Sequence, residues 1–289
     1  MRHQQRADST ATAVDTAAEK ERRLVEWLAG RGAVVIGFSG GVDSAYLACI
    51  AVTALGHDRV LAVIGRSPSY PAEQWETARR VAAQFGVRVR EIDTDEMNDP
   101  RYAANPSNRC FFCKSELWSR VVPIAHELGF GAVLDGTNAD DLSDHRPGAA
   151  AGVERGVLSP LAIFGFTKAE IRERSRLLGI PTWEQPSSPC LSSRIPYGMS
   201  VTVERLSQIE RAERAVRAIG VGGELRVRHH GDLARVELSP AELDRWLAPE
   251  RAQRLREAVR EAAGFGRVAI DLRGYRSGSL NVLSGVTAA

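Results

Sequence analysis

One stretch limits the folds open to this chain more than any other: "VVIGFSGGVDSAYLACIAV", Val34 to Val52, where a β-branched apolar run meets two glycines and passes at once into an apolar helical run. A strand handing directly to a helix is the first half of a β-α-β unit, which calls for a parallel sheet with helices against it. The pattern then repeats. "RVLAVIGR" reads as a strand, "PAEQWETARRVAAQFG" as a helix, "VRVREID" as a strand, "CKSELWSRVVPIAHELG" as a helix and "AVLDGTN" as a strand. A helix with Leu24, Trp27 and Leu28 on one face, stopped at Gly30 or Gly32, precedes the first strand, placed at 33–39. The expected fold class is α/β, a doubly wound parallel sheet with helices on both faces.

The texture changes after "CLSSRIPYG". A long charged helix, "VTVERLSQIERAERAVRAIG", is followed by two alternating runs about a Gly-Asp turn, one helix over 239–266 and a last strand, "RVAIDLRGY". With a boundary near Met199, the expected organisation is a disordered polar tail over 1–18, the parallel-sheet domain over 19–198 and a smaller α+β domain over 199–289. A length of 289 residues, 44% hydrophobic, suits about two domains. Thirty-eight Lys and Arg against 36 Asp and Glu leave a net charge of +2, which lacks the basic excess of a nucleic-acid binder. No apolar run approaches the ~20 residues that span a bilayer, and no secretory signal opens the chain, so a cytoplasmic address is expected.

A glycine-rich turn opening a helix offers free backbone N–H groups at the positive end of the helix dipole, and so suits an anion such as phosphate. Gly40 and Gly41 let the backbone wrap the anion, Ser39 and Ser44 add hydroxyls, and Asp43 can orient Mg²⁺ or the loop. The turn is no Walker A loop, since no lysine follows it to reach a β/γ-phosphate, and it is no Gly-x-Gly-x-x-Gly dinucleotide turn. Ligands of open parallel sheets gather beyond the carboxyl ends of the strands. Three such ends carry chemistry here: 39–44, "GRSPSYP" at 65–71 and "DGTNADD" at 135–141.

Four cysteines are too few to build a fold of this length from disulfides. Cys49, beside Ala45, Ala48 and Val52, reads as core. Cys110 and Cys113 form a Cys-x-x-Cys that opens a helix, and Cys190 sits in "SSPCLSSRIPYG" beside Ser192, Ser193 and Arg194. Three thiolates can ligate three irons of a [4Fe–4S] cluster and leave the fourth open, for instance to hydrosulfide. Zinc binding and a lone Cys190 thiolate, favoured by Arg194, are the alternatives. Arg226 and Arg228 alternate on one strand, which sends two guanidiniums to one side, as phosphate recognition requires. Glu213 reads equally as a site residue or a solvated helix face; His229 and His230 read as turn residues; Tyr275, Arg276 and Asn281 read as closing the second domain.

Ser-Gly-Gly-x-Asp-Ser resembles the loop of the PP-loop ATP pyrophosphatases, and Asn138, Asp140 and Asp141 also match that superfamily. "RSPSYPAEQ", "NRCFFCKSEL", "DGTNADDLSDHRPG", "SPCLSSRIPYG", "LRVRHHGDLARVE" and "GYRSGSLN", in that order between Val25 and Leu283, resemble the LarE family. The resemblance implies an ATP-dependent sulfur transferase. Such an enzyme adenylates a carboxylate of pyridinium-3,5-biscarboxylic acid mononucleotide, releases pyrophosphate and forms a thiocarboxylate for a nickel-pincer cofactor. It implies ATP and Mg²⁺ at Ser39, Gly40, Gly41, Val42, Ser44, Asn138 and Arg194, with Asp43 and Cys190 catalytic and Arg226, Arg228 and Ser193 on the substrate. Some members surrender the sulfur of the cysteine matching Cys190; others carry three cysteines and a [4Fe–4S] cluster. Having all three, this chain is expected to hold the cluster on Cys110, Cys113 and Cys190. The implied partner is a small nucleotide substrate, with a homo-oligomer and other nickel-pincer enzymes left open. Rival readings are a tRNA thiolase and a non-catalytic nucleotide-binding module with structural zinc.

Overall fold

Alternating strand and helix patterns become, in the computed structural model, an alternating chain. The structure describes residues 15–142 and 147–276. The helices are α1 (Ala17–Ala29), α2 (Val42–Leu55), α3 (Ala72–Gln84), α4 (Pro100–Ala103), α5 (Arg109–Glu127), α6 (Pro147–Glu154), α7 (Pro160–Ile163), α8 (Lys168–Leu177), α9 (Val203–Ala218), α10 (Pro240–Trp246) and α11 (Pro249–Ala263). The strands are β1 (Val34–Gly37), β2 (Val60–Arg66), β3 (Arg88–Asp93), β4 (Ala132–Leu134), β5 (Leu225–His230), β6 (Leu233–Leu238) and β7 (Arg267–Ile270).

Strands β1 to β4 form one parallel sheet in the order β3-β2-β1-β4, with Val35 of β1 in register with Leu61 of β2 and Val133 of β4. The sheet is covered on both faces. One core joins Val34 and Ile36 of β1 to Leu24 and Leu28 of α1, most of α2, Ala78 and Val81 of α3, and Ile171 of α8. The opposite face carries Val35, Leu61 and Val63 against Trp118 and Val121 of α5. A helix apolar on every side has to lie inside, and α2 does: Ala45 to Ala51 are all buried. The chain runs from β1 out to β3 and returns to place β4 on the other flank of β1. The switch point therefore falls at the carboxyl end of β1, where the glycine turn lies.

The second sheet has the order β5-β6-β7, with an antiparallel hairpin across Gly231-Asp232 and β7 parallel to β6. Its core includes Val227 and Val236 with Val216 of α9, Trp246 of α10 and Leu255 and Val259 of α11. A small cluster of Tyr102, Leu191, Ile195, Val201, Leu206 and Ile209 lies between the elements of the first sheet and α9. No helix among the described residues is long and apolar enough to cross a membrane.

Several expected boundaries move. Thr16 caps α1 through a reciprocal box with Glu19, so Ala17 and Ala18, assigned to the tail, are helical; residues 1–14 lie outside the described residues. Strand β4 stops at Leu134, not 138, because the next donors turn away: Asp135 N–H reaches Leu158 O and Thr137 N–H reaches the Asp135 carboxylate. The helix read over 239–266 is two, broken at Leu247 and Ala248. Pro249 disfavours helical geometry at the residue before it, and Ala248 is extended, with φ −55° and ψ 134°. His229 and His230 close β5 and are paired in the ladder, so they are not turn residues.

Candidate active site

The glycine turn is shaped by close approaches. Gly40 has φ +66°, and a Cβ there would stand 2.5 Å from Ala78 Cβ. The helix cap, Gly41, brings no side chain to the first N–H groups of α2. The loop hydroxyls turn inward: Ser44 Oγ donates to Gly41 O at 3.1 Å and lies 3.2 Å from Ser39 Oγ. Val42 is buried beneath the turn.

All three loaded strand ends meet. Tyr70 Oη and Gln74 Nε2 each donate to Ser39 O at 2.9 Å. A Cβ on Gly136 would lie 2.9 Å from Ser44 N, so only glycine lets the end of β4 pass this close to α2. Asn138 Nδ2 donates to Asp43 Oδ1 at 3.3 Å, and Asn138 and Asp141 exchange backbone-to-side-chain bonds at 3.2 Å.

The cation that the turn itself lacks comes from elsewhere in the chain. Lys168 opens α8, its N–H donates to Asp140 Oδ2 at 2.8 Å, and its Nζ pairs with Asp43 Oδ2. Sequence reasoning missed it, although "TKAE" carried a signal: Thr167 and Glu170 form a capping box that makes Lys168 the first residue of a helix.

Cys190 lies at the start of a short 3-10 turn, Leu191–Arg194, whose backbone is held from several sides. Leu191 N–H donates to Ser69 O at 2.8 Å. Arg194, 3% exposed at its side chain, donates to Pro189 O, Cys190 O and Ser193 Oγ and forks onto both carboxylate oxygens of Glu213 at 2.9 and 3.0 Å. Burial opposes the Arg194 charge, but Glu213 outweighs it and holds the guanidinium above its ordinary range. Glu213 also accepts from Val227 N–H at 2.9 Å, so it is no solvated helix face.

Arg226 and Arg228 both turn from β5 toward this loop. Arg226 donates to Ser187 O and stacks over Tyr275 with 4.9 Å to the ring centroid; Arg228 donates to Ser193 O at 2.9 Å and pairs with Glu237, itself 1% exposed. Burial, then the nearby Arg194 charge, lowers the Arg226 pKa. Arg276 stands at the edge of the described residues and Asn281 lies outside them.

Cys110 and Cys113 sit one helical turn apart at the start of α5, Cys110 exposed and Cys113 half-buried. Burial, followed by the charges of Glu96 and Cys190, pushes the Cys113 thiol well up. Arg109, buried next to Cys110, is held above its ordinary range against its own burial by the charges of Cys190 and Cys110 and by Tyr102 and Tyr197. Cys49 is core, its thiol pushed up to about 12 by burial. Among the described residues no three His, Cys, Asp or Glu stand close enough to hold one metal ion. A [4Fe–4S] cluster sets a different demand, because each thiolate meets a different iron. An all-thiol donor set with a buried guanidinium beside it suits such an anionic assembly.

A family model described as NAD synthase matches residues 22–119, the part holding β1, the glycine turn and α2. An uncharacterised protein of Synechocystis is 44% identical over 86% of this chain and 91% of its own length. The pyridinium-3,5-bisthiocarboxylic acid mononucleotide synthase of Lactiplantibacillus plantarum is 34% identical over 92% of this chain and 95% of its own. An NH₃-dependent NAD⁺ synthetase of Methanosarcina mazei is 42% identical over only 30% of this chain, which leaves it similar in part of the fold alone. Identity to the mononucleotide synthase over nearly the whole of both chains, with a synthase-like glycine turn opening α2, shows that this chain belongs to the LarE family of ATP-dependent sulfur transferases.

Proposed function

We propose that this enzyme adenylates a carboxylate of pyridinium-3,5-biscarboxylic acid mononucleotide with ATP and converts it to a thiocarboxylate, in the cytoplasm. One observation carries the reading. The segment after β2 binds both halves of the chemistry: Tyr70 and Gln74 hold Ser39 of the anion turn, and Ser69 O holds Leu191, next to Cys190.

In this reading Ser39, Gly40, Gly41, Val42 and Ser44 receive the phosphates on the free N–H groups of α2. Lys168, once released from Asp43, donates to a phosphate oxygen, and Asp43, with Asn138 beside it, would hold Mg²⁺, which would supply positive charge toward the pyrophosphate. The substrate carboxylate attacks the α-phosphorus, pyrophosphate leaves, and the acyl carbon now bears AMP as a leaving group. Arg226, Arg228 and Ser193 orient the substrate by its phosphate, and Arg194 with Glu213 fixes the turn that carries Cys190. Cys110, Cys113 and Cys190 would hold a [4Fe–4S] cluster, which when bound would supply a place for a sulfur donor.

A second reading, in which Cys190 gives up its own sulfur, is favoured by how firmly that one residue is placed, with Leu191 N–H on Ser69 O and Arg194 on Cys190 O. Phosphorus NMR on a reaction with ATP and substrate tests the common step. AMP and pyrophosphate are expected; ADP and orthophosphate as stoichiometric products overturn both readings.

A further inference from the structure

Cys110 and Cys113 open α5, whereas Cys190 comes much later in the chain, so some feature has to bring the two parts into register. The segment that precedes Cys110 does this. Tyr102 Oη lies 2.6 Å from Ser192 Oγ, and Ala103 O accepts from Val201 N–H at 2.9 Å. Asn105 is wholly buried and, among the described residues, is the one non-glycine with positive φ, at 56°. Asparagine tolerates that conformation better than most residues. The conformation sets its Nδ2 at 2.8 and 2.9 Å from Pro196 O and Met199 O, while its own carbonyl accepts from Gly198 N–H at 3.0 Å. Its Oδ1 accepts from Arg109, and the same Arg109 nitrogen reaches Ser192 O at 3.2 Å. The loop of Cys190 is thus stitched to a stretch of chain whose next residue is Cys110.

We propose that Asn105 and Arg109 are the positioning residues of the sulfur centre, holding the Cys190 loop in register with the thiols of Cys110 and Cys113. The proposal rests on the three-thiol reading above. Once two thiols on α5 have captured a soft centre, bonding of the third is intramolecular, and its strength follows the effective concentration at which Cys190 is presented. A loop released from Asn105 and Arg109 spreads over more conformations and presents its thiol less often. Lysine at 109 keeps the charge but carries it on a flexible stem, without the planar guanidinium that fixes where the nitrogen shared by Asn105 and Ser192 points.

Anaerobic loading of the reduced full chain is the test, with two ferrous ions, two ferric ions and four sulfides per chain, the charge balance of a [4Fe–4S] cluster in its oxidised state. Iron, acid-labile sulfide and visible absorbance report the cluster, and a thiol reagent counts the thiols left free. Wild-type protein is expected to shield Cys110, Cys113 and Cys190 on loading, Cys49 being sealed in the core throughout. Arg109→Met and Asn105→Ala are expected to leave Cys190 reactive or to weaken retention of the cluster against a chelator about ten- to a hundredfold, the worth of a charged hydrogen bond. Arg109→Lys should fall between, with thermal midpoints measured alongside. Where Arg109→Met does not fold, Tyr102→Phe removes one oxygen from the same stitching and should weaken retention in the same direction. Folded variants that retain the cluster like wild type, with Cys190 shielded, overturn the positioning role alone. Wild-type protein in which Cys190 stays reactive after loading overturns the three-thiol reading and this inference with it.

Discussion

Adding one methyl group at Gly40 probes the anion turn most directly. Gly40→Ala would force an L side chain into φ +66° and set its Cβ 2.5 Å from Ala78 Cβ and 2.7 Å from Ala78 Cα. The left-handed conformation costs about 1–2 kcal/mol and overpacking against a wholly buried residue about 1–3 kcal/mol, so a loss of about 2–5 kcal/mol is expected. Ala78→Gly should rescue little of it. That change lifts only the Cβ contact, leaves the backbone Cα in place, and itself costs about 1 kcal/mol as a glycine inside a helix. Urea midpoints followed by tryptophan fluorescence give the stability change, and pyrophosphate release gives the state of the turn. A Gly40→Ala protein within about 0.5 kcal/mol of the parent, the scatter of a neutral surface change, would refute the claim that α3 presses the turn into shape.

Asp43→Ala is expected to abolish pyrophosphate release while costing about 1 kcal/mol or less, the range for a partly exposed ion pair; retained release would remove Asp43 from the chemistry. Arg226→Ala or Arg228→Ala should weaken substrate binding by about 1.5–3 kcal/mol, measured by calorimetry, and a fall in turnover at unchanged affinity would reassign them to the transition state. Burial first, then neighbouring cations, holds the His229 and His230 imidazoles below their ordinary range. The unfolded chain therefore binds protons that the folded one refuses, and stability falls as pH drops from 7 to 5. His229→Gln should flatten that decline in urea midpoints, and a parent protein equally stable at both pH values would contradict it. If Cys190 is consumed, mass spectrometry after one turnover finds it lighter by one H₂S, and serine at 110 and 113 leaves that turnover intact.

The parallel sheet was legible because its signals are local: β-branched runs, helical periodicity and a glycine turn each speak through neighbouring residues. The meeting of three strand ends was legible too, since the fold class requires it. Lys168 was not, because it reaches Asp43 from a helix far along the chain, and only its capping box was visible. Nor were Asn105 and Arg109, whose neighbours in sequence say nothing of Ser192 or Pro196. The break before Pro249 was visible and went unread, because the apolar spacing on either side runs on as though one helix crossed it. For Glu213 the sequence left a site residue and a solvated helix face equally open, and only the fold decides between them by setting the buried Arg194 guanidinium against it.

The turn carrying Cys190 also bears on the order of folding. Its partners are Ser69, Tyr102 and Arg109 on one side and Glu213, Arg226 and Arg228 on the other, reached across 90 residues in the case of Tyr102 and Ser192. Contacts this distant in sequence close late, since the chain entropy they cost must first be offset by contacts already made. Neither sheet alone supplies the full set, so a nascent chain carries an unguarded Cys190 until both have formed. The same dependence acts as a check on completeness: a chain cut before α9 would keep the anion turn, with Gly136, Asn138 and Lys168 around it, and Cys190 itself, yet would lack the Glu213, Arg226 and Arg228 that hold the sulfur in place.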